Sequence, residues 1–245
     1  MKKIPGMLAA VVVAVVVVVV VAATAAAQGG GVVAGMSHDD AKAVHQVGPH
    51  PTGWLMRVDS PAREKEEDAN FVPMGAGMHV TAGPHAIYWS PDNTASGVYT
   101  ISASFGVRSG VMHDYYGLIW GGSDLGGDKV SYAYFLVGGD GTFLVKHRAG
   151  PSGARAASNT DVHSVIDKTA NPAIKPVMKD GVAADGGSAS NALEVRVAPD
   201  SVRFVVNGTQ VGAVDAKSPM MPTSGLYGFR VNHNIDTHVG GFGKK

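Results

Sequence analysis

Between Asn191 and Val211 the chain reads Asn-Ala-Leu-Glu-Val-Arg-Val-Ala-Pro-Asp-Ser-Val-Arg-Phe-Val-Val-Asn-Gly-Thr-Gln-Val. Leu193, Val195 and Val197 alternate with Glu194 and Arg196, which puts the apolar side chains on one face of an extended strand. Pro199-Asp200 then supplies a turn, because proline presets its own φ and aspartate bonds the backbone beyond it. A second alternating run ends at Asn207-Gly208, a pair that tolerates the positive φ of a two-residue hairpin. Three short strands in so little chain commit the region to an antiparallel sheet.

The same pattern recurs upstream. Tyr99, Ile101, Ala103, Phe105 and Val107 alternate with Thr100, Ser102 and Ser104. Ala86 to Trp89 reads as a strand ended by Ser90-Pro91-Asp92-Asn93, and Tyr115 to Trp120 as one that runs into a glycine loop, Gly121 to Asp128. Ser131–Val137 and Thr142–Arg148 flank Gly138 to Gly141, read as a four-residue hairpin loop. That register sets Leu136 opposite Phe143, Tyr134 opposite Val145 and Tyr132 opposite His147, with this face in the core. About nine strands and no long helical segment predict an all-β fold, a two-sheet antiparallel β-sandwich or jelly roll. Residues 28–53 read as a flexible lead-in and 54–245 as the sandwich domain. The charge run Arg63 to Asp68 reads as a solvated turn.

The first 27 residues have the layout of a cleaved signal peptide: Lys2 and Lys3, an apolar Ala/Val run from Leu8, and Ala25-Ala26-Ala27 as a small-residue cleavage site. The rival reading is a retained anchor, since Leu8 to Ala27 is nearly long enough to span a bilayer. Cleavage is preferred because Gly29 to Gly31 follow, with no basic stop-transfer residues. The expected location is therefore secreted or periplasmic, with no membrane attachment after cleavage. The chain has no cysteine, so an exported product must be held by its core alone. Its balanced charge argues against nucleic acid or an anionic membrane as partner.

Several segments resemble the concanavalin A-like lectin/glucanase superfamily, including laminin-G-like modules and the 3-keto-disaccharide hydrolase domain. They are Tyr116 to Trp120, the Tyr134–Val137 and Gly141–Phe143 hairpin, Asn191 to Val195, Phe204 to Gly208, and Gly225 to Gly228. The resemblance covers about residues 70 to 243 and implies a curved jelly roll, often carbohydrate-binding and sometimes calcium-bound. The Glu-x-Asp-x-x-Glu strand of the superfamily's glucanases is missing. Glu64, Glu66 and Glu67 lie in the charge run, and the remaining glutamate, Glu194, points outward from its strand. A glycosidase needs two carboxylates across one bond, so the expected function is a non-catalytic binding or structural module, most readily for carbohydrate.

Three sets of residues are candidates for chemistry. Trp120, Phe135, Lys146 and Arg148 are expected on one sheet face, where aromatic and basic groups suit a sugar ring and its hydroxyls. Asn232, Asn234, Asp236 and His238 alternate in a row that suits a metal, and Asp124 and Asp128 in the glycine loop offer a separate oxygen-only site for calcium. If the chain is instead a sugar-acting enzyme, His113, Asp236 and His238 would gather around a divalent metal. A third reading is a protein-interaction module of a cell-surface assembly. Asn207-Gly208-Thr209 is a glycosylation sequon whose turn role already accounts for it.

Overall fold

The structure, a computed structural model, describes residues 46, 48–108, 115–150, 161–179, 182–183, 188–232 and 234–245. Two seven-stranded antiparallel sheets dominate it. The front sheet runs, edge to edge, β1 (Leu55–Val58), β4 (Ala86–Ala95), β15 (Gly225–Val231), β6 (Tyr115–Ser123), β7 (Ser131–Gly138), β8 (Thr142–Ala149) and β9 (Val162–Ala170). The back sheet runs β14 (Thr209–Asp215), β13 (Ser201–Val206), β12 (Ser188–Val197), β5 (Tyr99–Arg108), β16 (Ile235–Lys244), β3 (Gly77–Ala82) and β2 (Ala69–Met74). A short ladder pairs β10 (Met178–Lys179) with β11 (Val182–Ala183). This is the expected β-sandwich, with more strands than the sequence pattern announces.

The hairpins at 193–211 form as their turn residues require. Val197 pairs with Val202 across Pro199-Asp200, and Val206 pairs with Thr209 across Asn207 and Gly208. Those two residues hold φ of 50° and 82°, the left-handed region in which glycine and asparagine pay the smallest steric penalty. Asn191, in the first strand of this run, has a different task. Fully buried, its amide donates to the Tyr116 hydroxyl and the Lys175 carbonyl and accepts from the Lys175 N–H, tying the segment before β10 to the interior.

Between the sheets lies one continuous apolar core. Phe105 and Phe204 of the back sheet meet Tyr116, Trp120, Phe135 and Phe229 of the front sheet. Back-sheet strands such as β5 bury one face only: Tyr99, Ile101, Ala103, Phe105 and Val107 are buried and their neighbours are not. Front-sheet strands differ: in β6 the eight residues Tyr115 to Gly122 are all buried, and in β7 the seven from Tyr132 to Gly138. A second cluster therefore sits on the outward face of the front sheet, made of Ile87, Trp89, Tyr115, Ile119, Tyr132, Tyr134 and Leu136 with Leu125 and Val130 of the glycine loop.

Three sequence readings need correction. The β7–β8 register is displaced by one residue: Val137 pairs with Phe143, Phe135 with Val145 and Tyr134 with Lys146, around a loop closed at Gly141 with φ of 82°. A one-residue slip sends every side chain of a strand to the opposite face. Ser90 to Asn93 is a bulge and not the end of β4, since the ladder resumes at Thr94 opposite Leu226; proline has no N–H for a ladder and is tolerated there. Within the charge run, Glu64 is buried, its carboxylate accepting from His85 Nδ1 at 3.0 Å and Ser60 N–H at 3.0 Å, while Glu66–Asp68 form a short 3₁₀ turn.

Candidate functional site

The outward face of the front sheet is strongly curved. Asp59 directly follows edge strand β1, while Arg148 lies on β8, five strands further along. At the usual spacing of neighbouring strands, a flat sheet would hold β1 and β8 roughly 24 Å apart. Yet Arg148 Nη1 lies 2.7 Å from Asp59 Oδ1, so the sheet coils and this face is concave. Two glycines on the face, Gly117 and Gly228, let the backbones approach: a Cβ on either would sit 2.1 Å from the Phe135 and Tyr88 carbonyl oxygens respectively.

Charge concentrates in the concavity. Arg230 on β15 grips both oxygens of Asp59, with Nη1 at 2.7 Å from Oδ1, and also donates to the Tyr132 hydroxyl at 3.1 Å. Its guanidinium lies over the Tyr134 ring, 5.2 Å from the centroid. Arg148 adds a bond from Nη2 to the Asp59 carbonyl. Burial pushes the Asp59 carboxyl up, but Arg230, Arg148 and His85 overcome it and hold the pKa at about 2. The carboxylate is ionised throughout the physiological range and saturated by two guanidiniums. It therefore lacks the proton that a general acid needs, and two guanidiniums lower its basicity.

Of the four residues expected to line a ligand groove, the structure keeps two together on this face. Lys146 and Arg148 point outward from β8, beside Tyr134 and Tyr132. Trp120 and Phe135 are corrected: both are fully buried between the sheets, against Phe204. The one-residue slip is the physical reason for Phe135, which exchanges places with Tyr134 and Tyr132. The aromatic partners of the two cations are thus those tyrosines, together with Trp89, and the sequence reading had assigned the tyrosines to the core.

The proposed metal row does not form. Asn234 turns into the left-handed region at φ 56° and is buried, which breaks the period of two on which the row depended. Asn232 gives its N–H to the Tyr115 carbonyl at 2.7 Å. Asp236 and His238 do share the outward face of the back sheet, opposite Thr81 and His79. Asp236 Oδ1 lies 3.3 Å from His79 Nε2, a neighbour the row did not include, and burial lowers the pKa of that imidazole. Among the described residues no three acidic or imidazole side chains converge as a cation requires. His113, offered as their catalytic companion, lies outside the described residues, as does His233.

The glycine loop commits several of its oxygens to protein donors, while Asp128 remains exposed. Asp124 spends its carboxylate on the Lys129 N–H at 2.7 Å, and its own carbonyl accepts from the Gly127 N–H. The Leu125 and Gly127 carbonyls both take bonds of 2.7 Å from Arg57 Nη1. A guanidinium from β1 thus occupies two of the loop carbonyls on which a calcium ion could draw. A separate cleft of about 410 Å³ at the end of the sandwich is lined by Gly97, Val98, Ala198, Pro199, Ala216, Thr223 and Ser224, without a charged or aromatic group.

No protein-family model matches the sequence, and no curated protein matches it. Solved structures do. The carbohydrate-binding module CBM66 from Bacillus subtilis superposes with a TM-score of 0.53 at 12% identity, over 80% of this chain and 99% of that one. A protein of unknown function with a galectin-like fold, also from Bacillus subtilis, gives 0.51 at 14% identity, over 78% and 88%. The fold is the concanavalin A-like jelly roll. A glycoside hydrolase family 16 endo-glucanase from Bacteroides ovatus follows at 0.47 and 10% identity, over 80% and 84%. At these identities the likeness speaks for the jelly roll itself.

Proposed function

We propose that the chain is a non-catalytic carbohydrate-binding module whose ligand meets the concave face of the front sheet. The observation that carries this reading is the pairing on one curved face of an aromatic floor with fixed hydrogen-bonding groups. Trp89 and Tyr134 form the floor over buried Tyr132, and Asp59, Arg148 and Arg230 the fixed network. Sugars are recognised by such combinations, apolar ring contact for the C–H faces and rigid donors and acceptors for the hydroxyls. Trp89 and Tyr134 keep only 4% and 6% of their surface exposed, so a sugar would meet ring edges beside Lys146 and Asp59. The fold's likeness to CBM66 of Bacillus subtilis is in accord with it. An ionised Asp59 held by two guanidiniums supports binding over proton donation to a leaving group.

The test is a glycan array followed by calorimetric titration of the best saccharide, with the wild-type protein and Tyr134→Ala. Binding that weakens at least tenfold in the variant supports the face; binding unchanged in the variant places the ligand elsewhere.

Export belongs to the same proposal. Protein recovered from outside the cytoplasm should begin near Gln28 on N-terminal sequencing, and a mature, membrane-extracted chain that keeps Met1 would overturn it.

A further inference from the structure

The concave face shows almost none of its aromatic surface, and its two main rings are covered by different things. Over Tyr134 lies the guanidinium of Arg230, itself buried and tied to Asp59. Over Trp89 lies the loop that joins β6 to β7. A Cβ on Gly126 would come 3.9 Å from Trp89 Cζ2, and Leu125 packs in the same outward cluster as the indole. Only 4% of Trp89 remains exposed.

Few contacts fasten this loop. β6 leaves its register with β7 between Trp120 and Ser123, at Gly121 and Gly122, and the chain from Asp124 to Val130 then lies on the sheet. Val130 is its fixed foot, buried and accepting from the Gly150 N–H. The Asp124 carbonyl and carboxylate accept from the Gly127 and Lys129 N–H groups, bonds that belong to the loop and move with it. Ser123, Asp124, Gly126, Asp128 and Lys129 are exposed. Among the described residues, what holds the tip down is the buried Leu125 side chain and Arg57, which donates to the Leu125 and Gly127 carbonyls. Asp124 and Asp128 offset the charge of Arg57 from the loop side. One leucine and one guanidinium on neutral carbonyls are a small set of contacts, of the kind from which ligand-binding loops and lids are drawn.

We propose that Asp124 to Val130 is a lid on the saccharide site: Leu125 closes it, Arg57 latches it, and Trp89 is the ring it uncovers for the apolar face of a sugar. This rests on the carbohydrate reading of the same face and supplies the aromatic area that the closed face withholds. A saccharide that stacks only on the uncovered ring draws the loop open, and its apparent affinity is scaled down by the fraction of molecules that are open without it.

Two variants loosen the closed state and leave the ring in place: Leu125→Ala removes the plug, and Arg57→Met removes the latch but keeps its stem. The first readout needs no saccharide. It is acrylamide quenching of Trp89 emission, taken as the difference between each protein and its Trp89→Phe counterpart, since Trp54 and Trp120 also emit. The second is calorimetric titration with the best-binding saccharide of the array. Expected are Trp89 emission shielded in the wild type and readily quenched in both variants, with saccharide binding tightened by about tenfold, as release of a minority open state requires. Unchanged quenching, with the saccharide bound as tightly as by the wild type, would overturn the lid and leave the carbohydrate reading intact. Weaker binding in both variants with Trp89 still shielded would make the loop a fixed wall of the site and overturn the lid too. Greater quenching with no saccharide bound by any form would support the lid and overturn the carbohydrate reading. A thermal melt checks that each variant is folded, and Arg57→Met, a change on edge strand β1, carries the test by itself if Leu125→Ala unfolds.

Discussion

The two sheets of this sandwich bury their residues differently. The back sheet is one-sided: its outward positions, among them Ser102, Ser104, Glu194, Arg196 and Arg203, remain at least partly in water while the alternate positions fill the core. The central front-sheet strands β6 and β7 are buried on both sides, by the back sheet within and by the sheet's own curvature and glycine loop without. Exposed polar groups on the back sheet's outer face, such as Arg196 and Arg203, reach water, whereas buried Arg148 and Arg230 must pair with Asp59. That is the difference between a surface and a site. It also predicts how each side responds to mutation.

The largest effect is expected where the front sheet is buried on its charged side. Asp59→Ala leaves two guanidiniums without their shared carboxylate, and breaking a buried ion pair in this way costs about 3–5 kcal/mol. Phe135→Ala, on the other side of the same sheet, should cost a similar ~3–5 kcal/mol through the cavity it opens in the core. Chemical denaturation measures both. A loss below about 1 kcal/mol for Asp59→Ala, the range of ordinary surface changes, would reduce the network to an exposed contact.

A smaller effect follows acid. The folded pKa of Asp59 is depressed, to about 2 from an ordinary 3.8, so its contribution is fully present above the unfolded value and is lost as pH falls through the folded one. The stability at stake is about 2 kcal/mol, disappearing between roughly pH 4 and pH 2. Denaturation midpoints compared across that window, in the wild type and in Asp59→Asn, isolate it: the variant's pH slope should be shallower. Identical slopes would place the acid sensitivity in other groups, such as Glu64, whose carboxyl burial raises but the His85 bond lowers further.

The smallest effect belongs to the back sheet's outer face. Glu194→Ala removes a half-exposed strand carboxylate whose partner is exposed Arg196, and should change stability by no more than about 0.5 kcal/mol. A cost above 1 kcal/mol would make that face structural, and the contrast between the sheets would fail.

The same contrast explains what could be read from the sequence. β5 and β12 alternate because one side faces water, and their faces and turns follow from the residues alone. In β6 and β7 both sides are buried, so Tyr-Tyr-Gly-Leu-Ile-Trp and Tyr-Ala-Tyr-Phe-Leu-Val carry no period of two that assigns a side chain to a face. Register then hung on the loop, and reading Gly138 to Gly141 as four residues put Phe135 on the ligand face. Lys146 and Arg148 stayed on the ligand side because charge seldom enters a core. Asp59, Arg230 and Trp89 were passed over. Their meeting depends on the coil of the sheet, which joins residues distant in sequence. One signal was present: isolated cations, Arg57 and Arg230, sit within strongly apolar strands, where a charge needs a partner.

The account rests on the concave face of the front sheet being where ligand binds, and backbone amide chemical shifts during titration with the best-binding saccharide test this directly. Perturbations should gather on Arg57, Asp59, Tyr132, Tyr134, Lys146 and Arg148 and on the loop from Gly121 to Val130. Shifts confined to the outward face of the back sheet, around His79, Asp236 and His238 or along β12 and β13, would contradict it.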